Sequence, residues 1–487
     1  MKKTVFAAVF FCMFIALHGQ NYQAIHGSSY AGSLGTYNNP ASGIHSPFNW
    51  DVTLFSAQSK SSTNAFSSTH PLIKLPQASV YLSNGDKERH VHANQDVHVL
   101  NARLKLNQYK AVAFGLNVRN YVHVRSKNFK FLDTISSFNS FLQFNRPVPS
   151  LGGMAINNGW AEAYLSYSQV VRKTDIDQLS AGITIKATRG VSGVYGRVDN
   201  LKFTEVPQPG QIPMFLVTEP IGSYGYSSNY DRLDDNSKQN ANDFLVYTQG
   251  SFGVDIGVEY LLKGNYAPQF DAAESELDYD WKIGVSLLDL GRNKFKHGRY
   301  SAQFNGAATA VNEVELENKF SSPDDIEDFY DSLRTVVTNL QSPDPDYHIW
   351  QPTRLVINVD KWLGQNLFIN GEVNINFFAT SSKTNLHTRE LNLLTVTPRW
   401  ETSMLGLYLP IQLNTQGQLW IGSAFKVGPL LLGIHDWRWL LSKNQVFNGG
   451  AYFAIVLRNF FNTSGGKERN IKYMECPPDQ IGKRKRN

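Results

Sequence analysis

The sequence predicts an all-β protein, a transmembrane antiparallel β-barrel of about 14 strands with a short helix in one long loop. Three features support this fold. Apolar and polar residues alternate through most of the 487 residues. Short and long connections alternate between these runs. After the first 20 or so residues, no apolar run approaches the roughly 18 residues of a membrane-spanning helix.

The alternation is clearest in residues 98–119. A short link at residues 108–110 joins two alternating runs, as in a β-hairpin. In the second run Val112, Phe114, Leu116 and Val118 share one face, opposite Ala113, Gly115, Asn117 and Arg119. A soluble β-sandwich also alternates. The many Gly, Asn, Ser, Thr and charged residues on the second face favour a barrel with a polar interior.

Aromatic residues and loop lengths add to this prediction. Tryptophans recur near predicted strand ends, as in the girdles of a membrane barrel: Trp50, Trp160, Trp281, Trp362, Trp400, Trp437 and Trp439. Short links at 173–177 and 414–417 alternate with long polar stretches at 125–158, 204–243, 262–280 and 302–350. We interpret the long stretches as extracellular loops. Residues 48–461 then form one barrel domain.

One segment breaks the β pattern. Residues 322–337 begin with Ser-Pro-Asp-Asp, a helix-capping start, and place Ile326, Phe329, Leu333 and Val336 at helical spacing. They predict a short amphipathic helix inside a long loop. The helix either covers the barrel mouth or packs on an extracellular loop.

The two ends of the chain indicate export. Residues 1–19 resemble a secretory signal peptide, with Lys2 and Lys3 ahead of an apolar run. Its removal leaves Cys476 as the one cysteine, so no internal disulfide is expected. We expect an outer-membrane protein, monomeric, with both termini in the periplasm. Residues 462–487 form a polar tail that ends in Lys483, Arg484, Lys485 and Arg486. This tail is either a solvated terminus or a contact for anionic lipid or a partner protein.

No pattern of catalytic residues is evident, and we predict no enzyme, cofactor or metal site. His90, His92 and His98 lie close together in sequence, but zinc needs three or four convergent ligands and no carboxylate or cysteine partner is evident. The net charge of +5 is interspersed except at the tail. A nucleic-acid partner would need a basic face on a recognisable module, and none is present.

A turn precedes the first predicted strand. In the sequence Asn38-Asn39-Pro40-Ala41, proline fixes its own φ and biases Asn39 towards an extended conformation. Such a turn lets residues 20–47 fold back inside or beneath the barrel. The alternative is a periplasmic lead-in to the first strand with no gating role.

The Asn-Pro-Ala element resembles one near the N-terminus of the FadL-type transporters of hydrophobic compounds. In that family an N-terminal segment folds into the barrel as a hatch. The resemblance therefore implies a hatch in residues 20–47, with Asn38, Asn39, Pro40 and Ala41 gating a ligand.

Five later stretches resemble a group of uncharacterised outer-membrane barrels from Bacteroidota, distantly similar to FadL and to PorV-like secretion proteins. They are residues 160–167, 179–186, 284–291, 351–354 and 428–433. Two functions follow from these resemblances. One is passive uptake of a hydrophobic small molecule. The other is a structural or accessory subunit of an envelope machine for secretion, gliding or barrel assembly, held in outer-membrane lipid with protein partners.

Overall fold

The computed structural model describes residues 23–68, 80–232, 239–263, 279–308, 311–379, 385–441, 445–446 and 448–459. In these residues the chain forms a closed antiparallel barrel of 14 wall strands, as predicted. Among the described residues, no helix is both long and apolar enough to cross a membrane. The predicted signal peptide at 1–19 and the tail at 462–487 lie outside the described part of the chain.

The wall strands follow one another around the barrel. They are β1 Trp50–Thr63, β2 His90–Asn107, β3 Lys110–Ser126, β4 Leu151–Lys173, β5 Asp177–Leu201, β6 Gln249–Leu262, β7 Trp281–Lys296, β8 Arg354–Gly364, β9 Leu367–Asn376, β10 Leu393–Glu401, β11 Leu405–Tyr408 with Ile411–Asn414, β12 Leu419–Ile421 with Ser423–Val427, β13 Leu430–Ile434 and β14 Ala451–Arg458.

The barrel closes where its last strand meets its first. Strand β14 pairs with β1 from Arg458 opposite Asp51 to Tyr452 opposite Gln58. Around most of the wall, each strand therefore has a hydrogen-bonded neighbour on both sides. This complete pairing is the condition for a sheet to cross a bilayer. We call the end with both described termini the turn end, because most of the short hairpin links lie there, and the opposite end the loop end. The short link at 414–417 is a correction to the sequence prediction, because it joins β11 to β12 at the loop end.

The connection between β6 and β7 is a correction to the sequence prediction. Its residues 262–280 were expected to form an extracellular loop, but they leave and re-enter the wall at the turn end. The Lys263 N–H donates to the Ile176 carbonyl, and the Asp280 N–H donates to the Leu262 carbonyl. Length and polarity do not specify an end of the barrel, whereas the number of preceding strands does.

The wall is apolar outside and polar inside. On β3, Phe114, Leu116 and Val118 are exposed, whereas Asn117 and Arg119 are buried in the lumen. The same alternation leaves a band of exposed leucine, isoleucine, valine and phenylalanine side chains around the barrel, the surface expected to face lipid.

The predicted aromatic girdle is partly confirmed. Trp50, Trp281 and Trp400 lie at the turn end, each next to an inward-facing charged residue and so on the outer face. Trp160 is a correction, because its side chain is 0% exposed inside the lumen. Tryptophan also fills interiors, and position near a strand end does not reveal the face.

The loop end carries further structure. Its strands are Phe66–Ser68, Val80–Leu82, Gly85–Lys87, Phe129–Phe131, Phe203–Val206, Met214–Val217, Ile221–Tyr226, Ala302–Ala307, Val337–Gln341, Asp346–Trp350 and Gln445–Val446. Its helices are Phe138–Phe144, Gln239–Val246, Glu313–Phe320, Ile326–Val336 and Arg438–Leu441, with a 3-10 turn at Ser228–Arg232. Three of the strands extend the sheet beyond β5 in the order Ile221–Tyr226, Ala302–Ala307, Val337–Gln341.

The predicted helix is confirmed at Ile326–Val336, capped by the Asp325 carboxylate, which accepts from the Asp328 N–H. It packs on the loop strands, the second of the two placements considered. Leu333 and Val336 are buried in an apolar cluster with Val337. The ring of Phe329 meets that of Tyr224 edge-on at 5.2 Å.

Replacement of Asp325 by alanine should loosen this helix selectively. The Asp328 N–H would lose its acceptor, at a cost of about 1 kcal/mol. We expect faster amide hydrogen exchange in residues 326–336 with little change in the wall strands. The control is Asp331→Ala, which removes an exposed pair with Arg334 and should change exchange only slightly. Equal effects of the two substitutions would contradict the capping role.

Candidate functional site in the barrel lumen

Residues 23–49, here called the luminal segment, run inside the barrel. They form 3-10 turns at Gln23–Ile25, Ser29–Ala31 and Pro40–Ile44 and one helical turn at Ser33–Thr36. Almost every described side chain in them is buried. The buried polar groups of such a segment need hydrogen-bond partners, and residues of the wall supply several of them.

Hydrogen bonds attach the luminal segment to opposite sides of the wall. His26 Nδ1 lies 2.8 Å from Glu372 Oε2 on β9, and Ser28 Oγ donates to Glu401 on β10 at 2.8 and 2.9 Å. Arg103 on β2 donates to the Phe48 carbonyl at 2.6 Å. Arg458 on β14 donates to the Tyr30 carbonyl at 2.7 Å. The segment is therefore held from several directions at once.

The four residues predicted to form a hatch lie in the middle of this segment. Asn39 is extended, with φ −150° and ψ 112°, and its side chain accepts from the Ala41 N–H. Its Nδ2 donates to the Val258 carbonyl at 3.1 Å, and Asn38 Nδ2 donates to Glu372 at 3.1 Å. Pro40 lies against Gly182, where a Cβ would come within 2.4 Å of the proline carbonyl carbon. A gating role for these residues stays a prediction.

On the loop-end side of this segment lies a fully buried set of charges that we call the luminal ion network. Seven consecutive wall strands, β2 to β8, each contribute one residue, and an eighth residue precedes β10. The members are Asp96, Arg119, Glu162, Lys186, Asp255, Asp289, Arg354 and Glu390. The most exposed of them is only 3% exposed. Buried charges of this kind are tolerated only when they are paired and hydrogen-bonded.

Asp289 is the centre of the network. Arg119 donates to both of its carboxylate oxygens at 2.6 and 2.9 Å, and Lys186 donates to it at 2.7 Å. Arg354 Nε lies 3.7 Å away. Lys186 also contacts Asp255 at 2.7 Å, and Arg119 contacts Asp96 at 3.0 Å. Three cations thus surround one carboxylate.

The backbone at Asp289 explains how its carboxylate reaches the lumen. Asp289 has φ 58°, in the left-handed region that favours glycine, asparagine and aspartate. The pairing register of β6 with β7 shifts just beside it, between Val254 and Ile256. Such a bulge re-aims a side chain. Its N–H donates to Asp255 Oδ1 at 2.7 Å, which fixes the turn.

Tyr37 joins the luminal segment to the network. The Arg119 guanidinium lies 5.2 Å and the Lys186 ammonium 5.7 Å from the centre of its ring, within cation–π range. Burial raises the pKa of the Tyr37 hydroxyl well above its ordinary value, so the phenol stays neutral. The segment and the network therefore form one packed unit.

A layer of aromatic residues closes the lumen nearer the loop end. Phe295 is buried against β5, where a Cβ at Gly190 or Gly193 would come within 2.6 or 2.7 Å of its ring. Tyr347 stacks on Phe295 at 5.3 Å, and its hydroxyl donates to the Gly193 carbonyl at 2.6 Å. Two cavities in the described part of the chain leave about 10 and 30 Å³ for the centre of a water molecule.

A family model matches residues 36–434 of the chain; it describes a family of unknown function (DUF5723). The chain belongs to this family. No curated protein matches it. The matched region includes the strands that carry the luminal ion network and residues 36–49 of the luminal segment.

Two solved structures are similar to this chain at low sequence identity. A TodX monoaromatic hydrocarbon channel mutant is 9% identical, covers 88% of this chain and 94% of its own, and has a TM-score of 0.42. A FadL homologue from Pseudomonas aeruginosa is 11% identical, covers 89% of this chain and 95% of its own, and has a TM-score of 0.38.

The histidines considered for metal binding are separated in this family member. His92 packs beside His123, with ring centres 4.6 Å apart, and His90 lies 5.8 Å from His92. His98 lies deeper, within 4.8 Å of the Tyr37 ring. Within the described residues, no group of three or more His, Cys, Asp or Glu side chains is arranged to hold a metal.

Sequence reasoning missed the luminal ion network, although a signal for it was present. Glu162, Lys186, Asp289 and Arg354 each lie in one of the stretches that carry the family resemblance. All four are charged residues within strands that alternate apolar and polar residues. The other sequence-predicted contact, Lys483 to Arg486, lies outside the described residues and stays a prediction.

Proposed function

We propose that this barrel is a non-transporting accessory subunit of an outer-membrane assembly, closed in its resting state. One observation supports the proposal most directly: the lumen is filled by the luminal segment and crossed by a buried ion network. Both occupy the path that a solute would follow. The chain would then act through its surface, with the bilayer-facing wall as its anchor.

The chemistry of the lumen argues against passage of an apolar molecule along the barrel axis. A site for such a ligand is an apolar pocket of about 300 Å³ or more. The interior is instead lined by carboxylates, guanidinium groups and amides. To pass, the ligand would have to separate paired charges such as Arg119 and Asp289 without replacing their partners.

The loop end offers a surface for a partner protein. Ile212 is 69% exposed and Val314 is 55% exposed. Glu313, beside Val314, accepts from the Phe215 N–H at 2.7 Å and from Asn139 at 2.6 Å, which fixes the loops that carry both apolar side chains. Exposed apolar groups on an ordered loop, away from the lipid-facing band, suit a protein contact.

The same proposal assigns an orientation. The turn end faces the periplasm, so both termini of the mature chain, including the basic residues Lys483 to Arg486, are periplasmic. Short turns on the periplasmic side and longer loops outside are the rule for such barrels. The basic tail would then meet anionic lipid or a periplasmic partner.

A second candidate function is uptake of an amphipathic small molecule, and one feature of the wall favours it. The upper part of β12, Leu419–Ile421, pairs with β11 on one side. On its other side no wall strand pairs with it among the described residues. There the Trp437 N–H donates to the Ile421 carbonyl at 3.0 Å, and Arg438 donates to the Leu419 carbonyl. A short segment, not a strand, seals this seam.

The side chains near the seam are polar and incompletely bonded. Trp420 is 0% exposed, and the Lys60 ammonium lies 5.7 Å from its ring. Lys60 Nζ, Trp420 Nε1 and both side-chain polar atoms of Gln412 lack a hydrogen-bond partner within the described residues. Movement of residues 435–441 would join these groups to the bilayer, which would give a polar head group a lateral entry.

A mild-detergent purification of the full chain, followed by mass spectrometry of bound proteins and lipids, separates the two functions. The accessory role predicts a stoichiometric partner that is lost in the double variant Ile212→Asn, Val314→Asn, while the barrel stays folded. The matched control is Leu165→Asn, on the lipid-facing wall, which should keep the partner. A lone barrel that carries an apolar ligand would overturn the accessory role and favour uptake.

A further inference from the structure

A small polar cavity lies between the luminal segment and the wall. Its volume is about 30 Å³. On the segment it is lined by residues that include Asn38, Ser42 and His45, and on the wall by Glu259 of β6 and Lys282 of β7. This volume exceeds the roughly 10–15 Å³ that one enclosed water molecule needs.

Several groups that line the cavity are buried and lack partners. Asn38 Oδ1, Ser42 Oγ, His45 Nε2 and Glu259 Oε1 make no hydrogen bond within the described residues. His45 Nε2 and Glu259 Oε1 are 3.5 Å apart. Lys282 Nζ donates to Ser29 Oγ at 3.0 Å, which uses one of its three hydrogens. A buried polar atom without a partner is costly, so these groups together favour a molecule inside the cavity that can both donate and accept.

The charges that face the cavity select the kind of ligand. Glu259 carries one negative charge and Lys282 one positive charge, and they cancel. Burial lowers the pKa of His45 well below its ordinary value, with Lys282, Lys105 and Lys173 adding to the effect, so the imidazole adds no charge. A cation would meet the Lys282 ammonium and an anion would meet Glu259. A neutral molecule that both donates and accepts fits best.

We propose that this cavity binds one or two water molecules that bridge the luminal segment to the wall. Each water would donate to acceptors such as Asn38 Oδ1 and Glu259 Oε1 and accept from the Lys282 ammonium. Bridging waters are nearly as favourable in enthalpy as direct hydrogen bonds. The segment is then attached here through solvent, so bulk water can replace these bonds if the segment leaves the wall. The water site stands whether the barrel takes a protein partner or a small molecule.

The isosteric pair Ser42→Thr and Ser42→Val tests this site by the sign of a difference. The threonine and valine side chains have the same shape, and only threonine keeps the hydroxyl group of Ser42. If water occupies the cavity, the valine variant should melt lower than the threonine variant, by roughly 2 °C or more. The same exchange at the exposed Thr338, Thr338→Val, gives the baseline. If the cavity is dry, valine should match or exceed threonine because valine buries no hydroxyl group that lacks a partner.

A crystal structure of the unmodified full chain provides the direct readout. We expect density peaks within hydrogen-bond distance of Asn38 Oδ1 and Glu259 Oε1. An empty cavity at a resolution that shows other enclosed waters would overturn the proposal. This readout holds even if a Ser42 variant fails to fold, and it does not depend on any partner or ligand assay.

Discussion

Replacement of Asp289 by asparagine should destabilise the barrel by about 3 kcal/mol or more. The substitution removes the carboxylate that Arg119 and Lys186 both contact and leaves buried cations with too few partners. Asparagine also adopts the left-handed conformation that Asp289 has, so the backbone imposes little extra strain. Urea unfolding of the purified barrel, followed by tryptophan fluorescence, would measure the loss as a lower transition midpoint.

The control for this prediction is Asp331→Asn. Asp331 faces Arg334 at 3.7 Å in a pair whose two side chains are both 63% exposed. Exposed pairs contribute little to stability, so the free energy of unfolding of this variant should fall by a few tenths of 1 kcal/mol at most. If the Asp289 variant unfolds at the same midpoint as the control, the network does not brace the wall.

The second large effect concerns conduction through the barrel. The lumen has two obstructions in series, the luminal segment with the ion network and the aromatic layer at Phe295. We expect the intact chain to be silent in planar lipid bilayers. Deletion of residues 23–47 combined with Phe295→Ala removes packing at both levels. That variant should conduct ions through a polar lumen in which water replaces the lost contacts and hydrates the side chains of the luminal ion network that remain.

The single variants are the controls. The deletion alone leaves Phe295 and Tyr347 in contact, and Phe295→Ala alone leaves the segment in place, so both should conduct far less than the combination. Circular dichroism would check that each variant keeps its β-structure. Steady conduction by the intact chain would contradict the closed resting state. Full conduction by the deletion alone would show that the aromatic layer is no obstruction.

The strands of the barrel wall could be predicted from the sequence because the pattern that specifies them involves only neighbouring residues. Alternation along β3 places Phe114 and Arg119 on opposite faces whatever the rest of the chain does. Proline chemistry likewise predicted the extended Asn39, since the restriction acts between adjacent residues. The helix at Ile326–Val336 follows from spacing and capping within one short window.

The contacts inside the lumen could not be predicted from the sequence because they join residues that are far apart in the chain. Asp289 meets Lys186 and Arg119 across 103 and 170 positions of sequence. No spacing rule connects such residues. The turn-end placement of residues 262–280 depends on strand count, and the inward side chain of Trp160 depends on the register of its strand. Each of these placements can be determined only when the strand order and register of the closed barrel are known.

The unequal strand lengths have a consequence for the surrounding bilayer. Strand β5 contains 25 residues, whereas β13 contains five. At about 3.3 Å per residue, five residues span about 17 Å, less than the apolar band of about 25 Å in outer-membrane barrels. Lipid beside β13 must thin or tilt its chains to match the wall, and lipid beside β5 need not. The molecule would therefore deform its membrane beside this short strand.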